Sequence, residues 1–278
     1  MIRKLLAFVA FGTLTAFGVT VDTTNTRPVV IGTPPGSEAS LQTILNGIYG
    51  CTDCVDANSN QSTAGMFSEP GTPPQQVAPI IQATYTADGD AIGLFSGTST
   101  TGSVQGCAET TSSCNGLALL DLFTNTAPND ASASVRFNAG GQIVITDTTG
   151  GASCAADGVN CGTFNGSGIN QSDFGFYENN GTVDYYSADN LNPTVTPSFN
   201  AGTTAPAGYS TDARAVAYDG PGNKWAIAFE DGTDFDYNDR VLSVESIVPA
   251  VPEPSSVLLL GGALLLGAGS MRRKLRKS

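Results

Sequence analysis

Apolar residues recur along this chain in two rhythms, and the change from one to the other predicts its elements. In "SEASLQTILNGIYG", Leu41, Ile44, Leu45 and Ile48 fall at i, i+3, i+4 and i+7, the spacing of one helical face. Ser37 offers a cap before the run and Gly50 a stop after it. One short amphipathic helix is expected, packed on a sheet. Beyond it the signals are mostly strands. "AIGLFSG", "GLALLDLFT", "ASVRFNA" and "QIVITDT" are β-rich runs between turn residues. "FGFYENNGTVDYYS" predicts a hairpin with a tight turn at Asn180-Gly181, a pair suited to positive φ. "RAVAYDGPGNKWAIAFED" predicts a second hairpin, turning at Gly220-Pro221-Gly222-Asn223. In its second arm Trp225, Ile227 and Phe229 share one face, and Ala226, Ala228 and Glu230 the other. "RVLSVESIV" reads as a closing strand, and the polar, Pro/Gly-rich residues 55–78 as a long loop.

Many short strands with regular turns indicate a mainly β fold, an antiparallel β-sandwich of jelly-roll type. The expected organisation is a leader over 1–18, an N-terminal extension with the short helix and the loop over 19–87, the sandwich over 88–248, and a tail over 249–278.

Both ends carry longer apolar runs. The chain starts "MIRKLLAFVAFGTLTAFGVTVDTT", with Arg3 and Lys4 ahead of an apolar stretch from Leu5 to Phe17. Ala16 and Gly18 are small residues at −3 and −1 of a cut before Val19. This is the pattern of a helical secretory signal removed by signal peptidase. At the other end Val257 to Gly269 is apolar, thirteen residues that span about 20 Å as a helix. The hydrocarbon core of a bilayer is roughly 30 Å thick. With the flanking serines and Met271 the span is marginal, and Arg272 to Lys277 form a positive stop. Such a hydrophobic helix suits transient membrane insertion before processing.

Pro252-Glu253-Pro254, the apolar run and the cluster opened by Arg272 and Arg273 follow one another in order. This tail resembles the PEP-CTERM sorting signal of exported proteins in Gram-negative bacteria that make extracellular polysaccharide. The resemblance implies an exosortase-type enzyme that recognises the Pro-Glu-Pro motif and removes the tail. It also implies delivery to the outer surface or the extracellular matrix of a biofilm. It implies nothing about the fold of the body.

Composition sharpens this picture. Net charge is −13, yet seven of the twelve basic residues are terminal. Residues 25–251 hold five bases against 23 acids, a net −18. Nucleic acid is excluded as a partner, because phosphate contacts need basic patches. The chain has no histidine. That removes His-based acid–base chemistry, Ser-His-Asp and Cys-His arrangements, and His-ligated zinc. The six cysteines fall in three near pairs, Cys51/Cys54, Cys107/Cys114 and Cys154/Cys161. In an exported chain an even count favours disulfides, and local pairing is the simplest of 15 arrangements.

One stretch of the body has the density of a site. In "FEDGTDFDYNDRVLSVE", Glu230, Asp231, Asp234, Asp236, Asn238 and Asp239 crowd together beside Arg240. Crowded carboxylates repel unless a cation, an arginine or backbone donors stand among them. Hard oxygen ligands suit Ca²⁺. Asp234, Asp236, Asn238 and Glu245 even match positions 1, 3, 5 and 12 of an EF-hand loop. Asp239 stands where that loop needs Gly, and both flanks read as strands, so an EF-hand is rejected. In extended chain Asp234, Asp236 and Asn238 would point one way, to an ion at the surface, and Phe235 and Tyr237 inward. The bland alternative is a polar turn held by Asx hydrogen bonds and an Asp–Arg240 pair. The stretch also resembles the C-terminal signature of an uncharacterised β-domain family of bacterial surface proteins. The matching residues are Phe229-Glu230-Asp231, Asp234 to Asp239 and the strand Val241 to Val248. That resemblance, too, implies Ca²⁺ binding.

These features favour a non-enzymatic structural or adhesive protein of the cell surface or exopolysaccharide matrix. A carbohydrate-binding module is the first alternative, using Tyr185, Tyr186, Tyr209 and Trp225. A secreted glycosidase using paired carboxylates is the second.

Overall fold

The computed structural model describes residues 38–62, 64–84, 90–97, 113–114, 117–150, 153–181, 183–192, 213–232 and 236–250. The leader over 1–18, Ser37, Cys107, Asp234, Tyr209 and the whole tail after Ala250 lie outside them.

The helix predicted from the i, i+3, i+4 spacing is α1, Leu41–Tyr49. Its cap is Ser40, whose Oγ accepts from the Thr43 N–H at 3.3 Å, so the cap sits three residues later than Ser37. Gly50 ends the helix in the left-handed region at φ 66°, which costs glycine nothing. Short strands follow: β1 Gln61–Ser62, β2 Phe67–Ser68, β3 Gln75–Thr84, β4 Ala91–Ser96 and β5 Ser113–Cys114. Next come β6 Leu117–Phe123, β7 Ala133–Asn138, β8 Gln142–Asp147, β9 Gly162–Phe164 and β10 Gly175–Asn179. The chain continues with β11 Asp184–Tyr186, β12 Ala215–Gly220, β13 Lys224–Phe229, β14 Arg240–Glu245 and β15 Val248–Pro249.

The strands form an eight-stranded sheet, β1-β12-β13-β14-β3-β7-β8-β9, and a five-stranded sheet, β11-β10-β4-β6-β5, with β2 and β15 paired separately. All the pairings are antiparallel. The expected mainly β, antiparallel sandwich is what forms.

Two apolar layers hold it together. The first lies between the sheets. Ile92, Leu94, Leu122 and Phe176 from the five-stranded sheet meet Val135, Ile143, Trp225, Ile227, Phe229, Leu242 and Val244 from the eight-stranded one. Phe67 fills its centre, edge-on to Trp225 and to Phe176 at 5.3 and 5.8 Å between centroids. The second layer lies on the outer face of the eight-stranded sheet. There Leu41, Ile44, Leu45 and Ile48 of α1 cover Val216, Tyr218, Ala226, Ala228 and Val241. Both faces of β13 are therefore buried. This explains its alternation of large residues inward and alanines under the helix.

Several expectations are corrected. Residues 55–78 are not one loop: they hold β1, β2 and the start of β3. β3 lies inside the eight-stranded sheet, between β14 and β7. The pattern hid it because Pro79 interrupts it. Its ladder to β7 covers only Gln75 to Val77, with a single bridge beyond at Ile80, since proline offers no N–H to a ladder. Residues 38–84, placed in an extension by the pattern, thus supply the cover helix and three strands. The Asn180-Gly181 turn is also longer than two residues. Asn179 pairs with Asp184, leaving four residues in the loop. Asparagine side chains satisfy it: Asn179 Oδ1 accepts from Gly181 N at 2.7 Å and Asn180 Oδ1 from Val183 N at 2.9 Å. The second hairpin turns through Pro221, Gly222 and Asn223 as expected, with Gly220 paired to Lys224.

Cys51–Cys54 and Cys154–Cys161 are disulfides, each with Cα atoms 5.9 Å apart. Cys114 ends β5, and its proposed partner Cys107 lies outside the described residues.

Candidate functional site

The acidic stretch connects β13 to β14 at one end of the sandwich. The Glu230 N–H continues the ladder, donating to Arg214 O at 3.0 Å. Asp239 Oδ2 reaches back to accept from Asp231 N at 2.8 Å and Gly232 N at 3.4 Å. Arg214 Nη1 donates to Gly232 O at 2.7 Å. One of the connection's own carboxylates, Asp239, thus pins its first residues.

Simple alternation fails in its second half. Tyr237 sits in the left-handed region at φ 54°, so its neighbours do not splay as in extended chain. Its ring does pack inward, into the layer beneath α1, and its hydroxyl donates to Ala213 O at 3.1 Å. Its N–H donates to Glu230 Oε2 at 3.3 Å. Asp236 and Asn238 are buried rather than at the surface. Asn238 Nδ2 donates to Ala39 O at 3.0 Å, and its N–H to Asp236 Oδ1 at 3.3 Å. Asn238 therefore ties the turn to the residues before α1, and Asp236 accepts from Asn238 within the turn. Glu245, the EF-hand candidate at position 12, ends β14 beside Lys224 at 3.5 Å.

Glu230, Asp231 and Asp239 stay together. Burial pushes the Asp239 carboxyl far up, and the charges of Glu230 and Asp231 push it further. Two residues the pattern did not single out join them. On β10 Phe176 points between the sheets, so Glu178, two residues on, does too. On β4 Ile92 and Leu94 point inward, and Asp90 continues that face one step before the strand. Both carboxyls are fully buried. Asp90 stands within hydrogen-bonding reach of Glu178 and of Asp231. No donor from another residue reaches the four oxygens of Asp90 and Glu178, so the two carboxyls bond to each other only when one of them carries a proton. Burial raises Asp90 to about 6, and Asp231 adds to the rise. Glu178 is driven well above the carboxylate range by burial and by Asp90, Asp231 and Asp239.

Arg240 opens β14 on the inward face of Leu242 and Val244. Its charge partners come from the five-stranded sheet rather than from the described acids of its own turn. The guanidinium is fully buried, its three nitrogens have no hydrogen-bond partner, and the charges that act on it are Glu178 and Asp90. Arg214 lies 5.0 Å over the Tyr185 ring, whose hydroxyl feels Asp231, Glu178 and Glu230.

The arrangement is a buried carboxyl cluster at the end of the inter-sheet layer. Chemically it offers hard oxygen donors. Among the described residues no three acidic side chains close round one point as a ready metal sphere; they meet in pairs. Glu178 was invisible in sequence because it is a lone acid in an aromatic strand. Only its place two residues after Phe176, on the same face of an alternating strand, could have flagged it as inward. Of the aromatic residues proposed for sugar stacking, Trp225, Tyr185 and Tyr186 are buried in the core, and Tyr209 lies outside the described residues.

No helix among the described residues is long and apolar enough to cross a membrane. No curated protein and no solved structure matches the chain. The family comparison matches one segment, residues 250–274, the stretch that holds Pro252, Glu253, Pro254, Arg272 and Arg273. By that segment the chain carries the PEP-CTERM protein-sorting motif, and it is an exported, surface-sorted protein handled by an exosortase-type enzyme.

Proposed function

We propose that the protein is a non-catalytic structural or adhesive component of the cell surface or exopolysaccharide matrix, with Ca²⁺ bound at its acidic turn. The observation that carries this reading is a surface-sorting motif on a sandwich that is closed on the faces described. Val248 is the only exposed large hydrophobic residue among the described ones, and the aromatic side chains named above are spent on the core. Disulfides within short loops suit a protein that must persist outside the cell, where thiols oxidise. Signal peptidase would remove residues 1–18, and the tail would insert in the membrane only until it is cut.

Fractionation of cells with and without residues 250–274 tests the reading. The intact chain should reach the surface or matrix fraction, and the shortened one should be held back or lost. Equal distribution of both would sink it. A melting curve tests the calcium part: millimolar Ca²⁺ should raise the melting temperature and EDTA should reverse the rise. No shift would count against calcium.

A further inference from the structure

The sorting motif begins almost where the folded body stops. Ala250 is the last described residue, and only Val251 stands between it and Pro252. Ala250 is itself held: its N–H donates to Met66 O at 3.0 Å. The two residues before it are β15, paired to β2 with Val248 opposite Ser68 and Pro249 opposite Phe67. The two strands of this ladder are not equally secured. Phe67 is fully buried, its N–H donates to Phe174 O at 2.6 Å, and its carbonyl accepts from Phe174 N at 2.9 Å. The Glu69 N–H donates to Gln171 O at 3.0 Å. β2 therefore stays with the body. β15 buries little of its own: Val248 is 40% exposed, and Pro249 is exposed too. Ile247 is the last described residue of the inter-sheet layer. Before it, Ser246 turns the chain out of β14 in the left-handed region at φ 66°. Val248 and Pro249 are thus joined to the sandwich chiefly by the backbone ladder.

An enzyme that cuts at a linear motif takes the chain extended, with several residues on each side of the bond. Here the residues on the body's side are committed to β2. A folded segment is cut through its locally opened form, and when opening and closing outpace the cut, the rate follows the population of that form. We propose that β15 is a clasp on the processing step: the exosortase-type enzyme removes the tail only from chains in which Val248 to Ala250 have left β2, so the strength of the β2–β15 ladder sets the rate of processing. The cut breaks one peptide bond. Its acyl carbon passes to water or to an amine acceptor of the cell, and the tail leaves with a new amine that takes the proton this nucleophile gives up. The clasp acts before that step, whichever nucleophile accepts. It depends on the sorting motif and not on the adhesive or calcium reading above.

The test follows the full chain in cells that hold the processing enzyme, by pulse-labelling and the loss of the tail with time. Two variants loosen the hold in different ways and leave the matched segment, residues 250–274, intact. Gly-Ser-Gly-Ser inserted between Pro249 and Ala250 supplies free chain ahead of the motif while β15 stays paired. Ser68→Pro weakens the ladder from the β2 side. Phe67 and Glu69 donate to Phe174 and Gln171, so the Ser68 N–H, on the opposite edge of the strand, faces β15, and proline removes it. Loss of about one hydrogen bond should raise the open population, and with it the cutting rate, about fivefold. The insertion should raise the rate at least as much. In the chain that carries the insertion, Ser68→Pro should add nothing, a result that general destabilisation of the sandwich would not give. If Ser68→Pro does not fold, the insertion alone decides the matter. An insertion chain cut no faster than the wild type, or a Ser68→Pro gain that persists in full beside the insertion, overturns the clasp and leaves the sorting standing. A tail retained in every chain overturns the clasp together with removal of the tail.

Discussion

Replacing Leu45 by alanine asks whether α1 is part of the sandwich or an appendage to it. Leu45 is fully buried at the middle of the helix, facing the outer side of the eight-stranded sheet. The change removes three buried carbons. At about 0.8 kcal/mol each the transfer loss is about 2.4 kcal/mol. The neighbours cannot close the gap. Ala226 and Ala228 beneath it are short, and the other three apolar helix residues have their own places. With the cavity included the loss should be roughly 3–4 kcal/mol. Alanine is the best helix former, so weakened helix propensity cannot be the cause. In a domain of this size the melting temperature should fall by roughly 6–16 °C. Guanidinium unfolding followed by Trp225 fluorescence is the stringent assay. Trp225 lies on the opposite face of the same sheet, in the inter-sheet layer. If helix and sandwich unfold together, the midpoint seen by Trp225 moves as far as that seen by far-ultraviolet circular dichroism, with the slope unchanged. A Trp225 midpoint that stays at the wild-type value, or a loss below about 1 kcal/mol, would refute the argument that α1 closes the second core layer.

Other sites give independent checks. Cys154→Ser with Cys161→Ser opens a loop of sequence separation 7; the loop-entropy relation gives about 2.4 kcal/mol of lost stability, measurable by urea titration. Gly93→Ala would place a Cβ against the Tyr177 ring and 2.6 Å from Leu120 O. The carbonyl cannot yield, so about 1–3 kcal/mol should be lost, and the Tyr177 hydrogen bond to Asp121 should be disturbed in the tyrosine absorption. Tyr218→Phe removes a hydroxyl that donates to Ala57 O at 2.7 Å. Gln61 Nε2 still donates to that carbonyl at 2.9 Å, so thermal melting should show a loss of only about 1 kcal/mol. Ser40→Ala removes the helix cap and should cost about 1 kcal/mol by the same measurement, with no change in Ca²⁺ response.

The sequence was sufficient wherever a rule of short range applied. The 3.6-residue period placed α1, and alternation placed β13 with its two unlike faces. The sorting motif was readable because an enzyme must recognise it as a linear segment, whatever the body does. The acidic turn was visible as density along the chain, and so was the reason to reject an EF-hand. What escaped was set by neighbours far away in sequence. Pro79 made β3 look like coil, yet β14 supplies hydrogen bonds along Ala78 to Thr84 and holds it in the sheet. The cap moved from Ser37 to Ser40 because the helix begins where Leu41 can reach the sheet.

The candidate site shows the same division most clearly. The sequence alone determined that Glu230, Asp231 and Asp239 crowd near a strand end. It could not say that Asn238 is buried and bonds to Ala39 ahead of α1, beside a left-handed backbone at Tyr237. Nor could it say that Asp90 and Glu178 complete the cluster. Those two residues lie 88 apart in number and meet only because β4 and β10 are hydrogen-bonded neighbours. Their carboxyls face inward because side chains alternate along a strand, and they face Asp231 because the second sheet packs on that side. Period and composition are properties of a segment, but electrostatic crowding depends on distance in space, and only the packing of one sheet on the other fixes that distance.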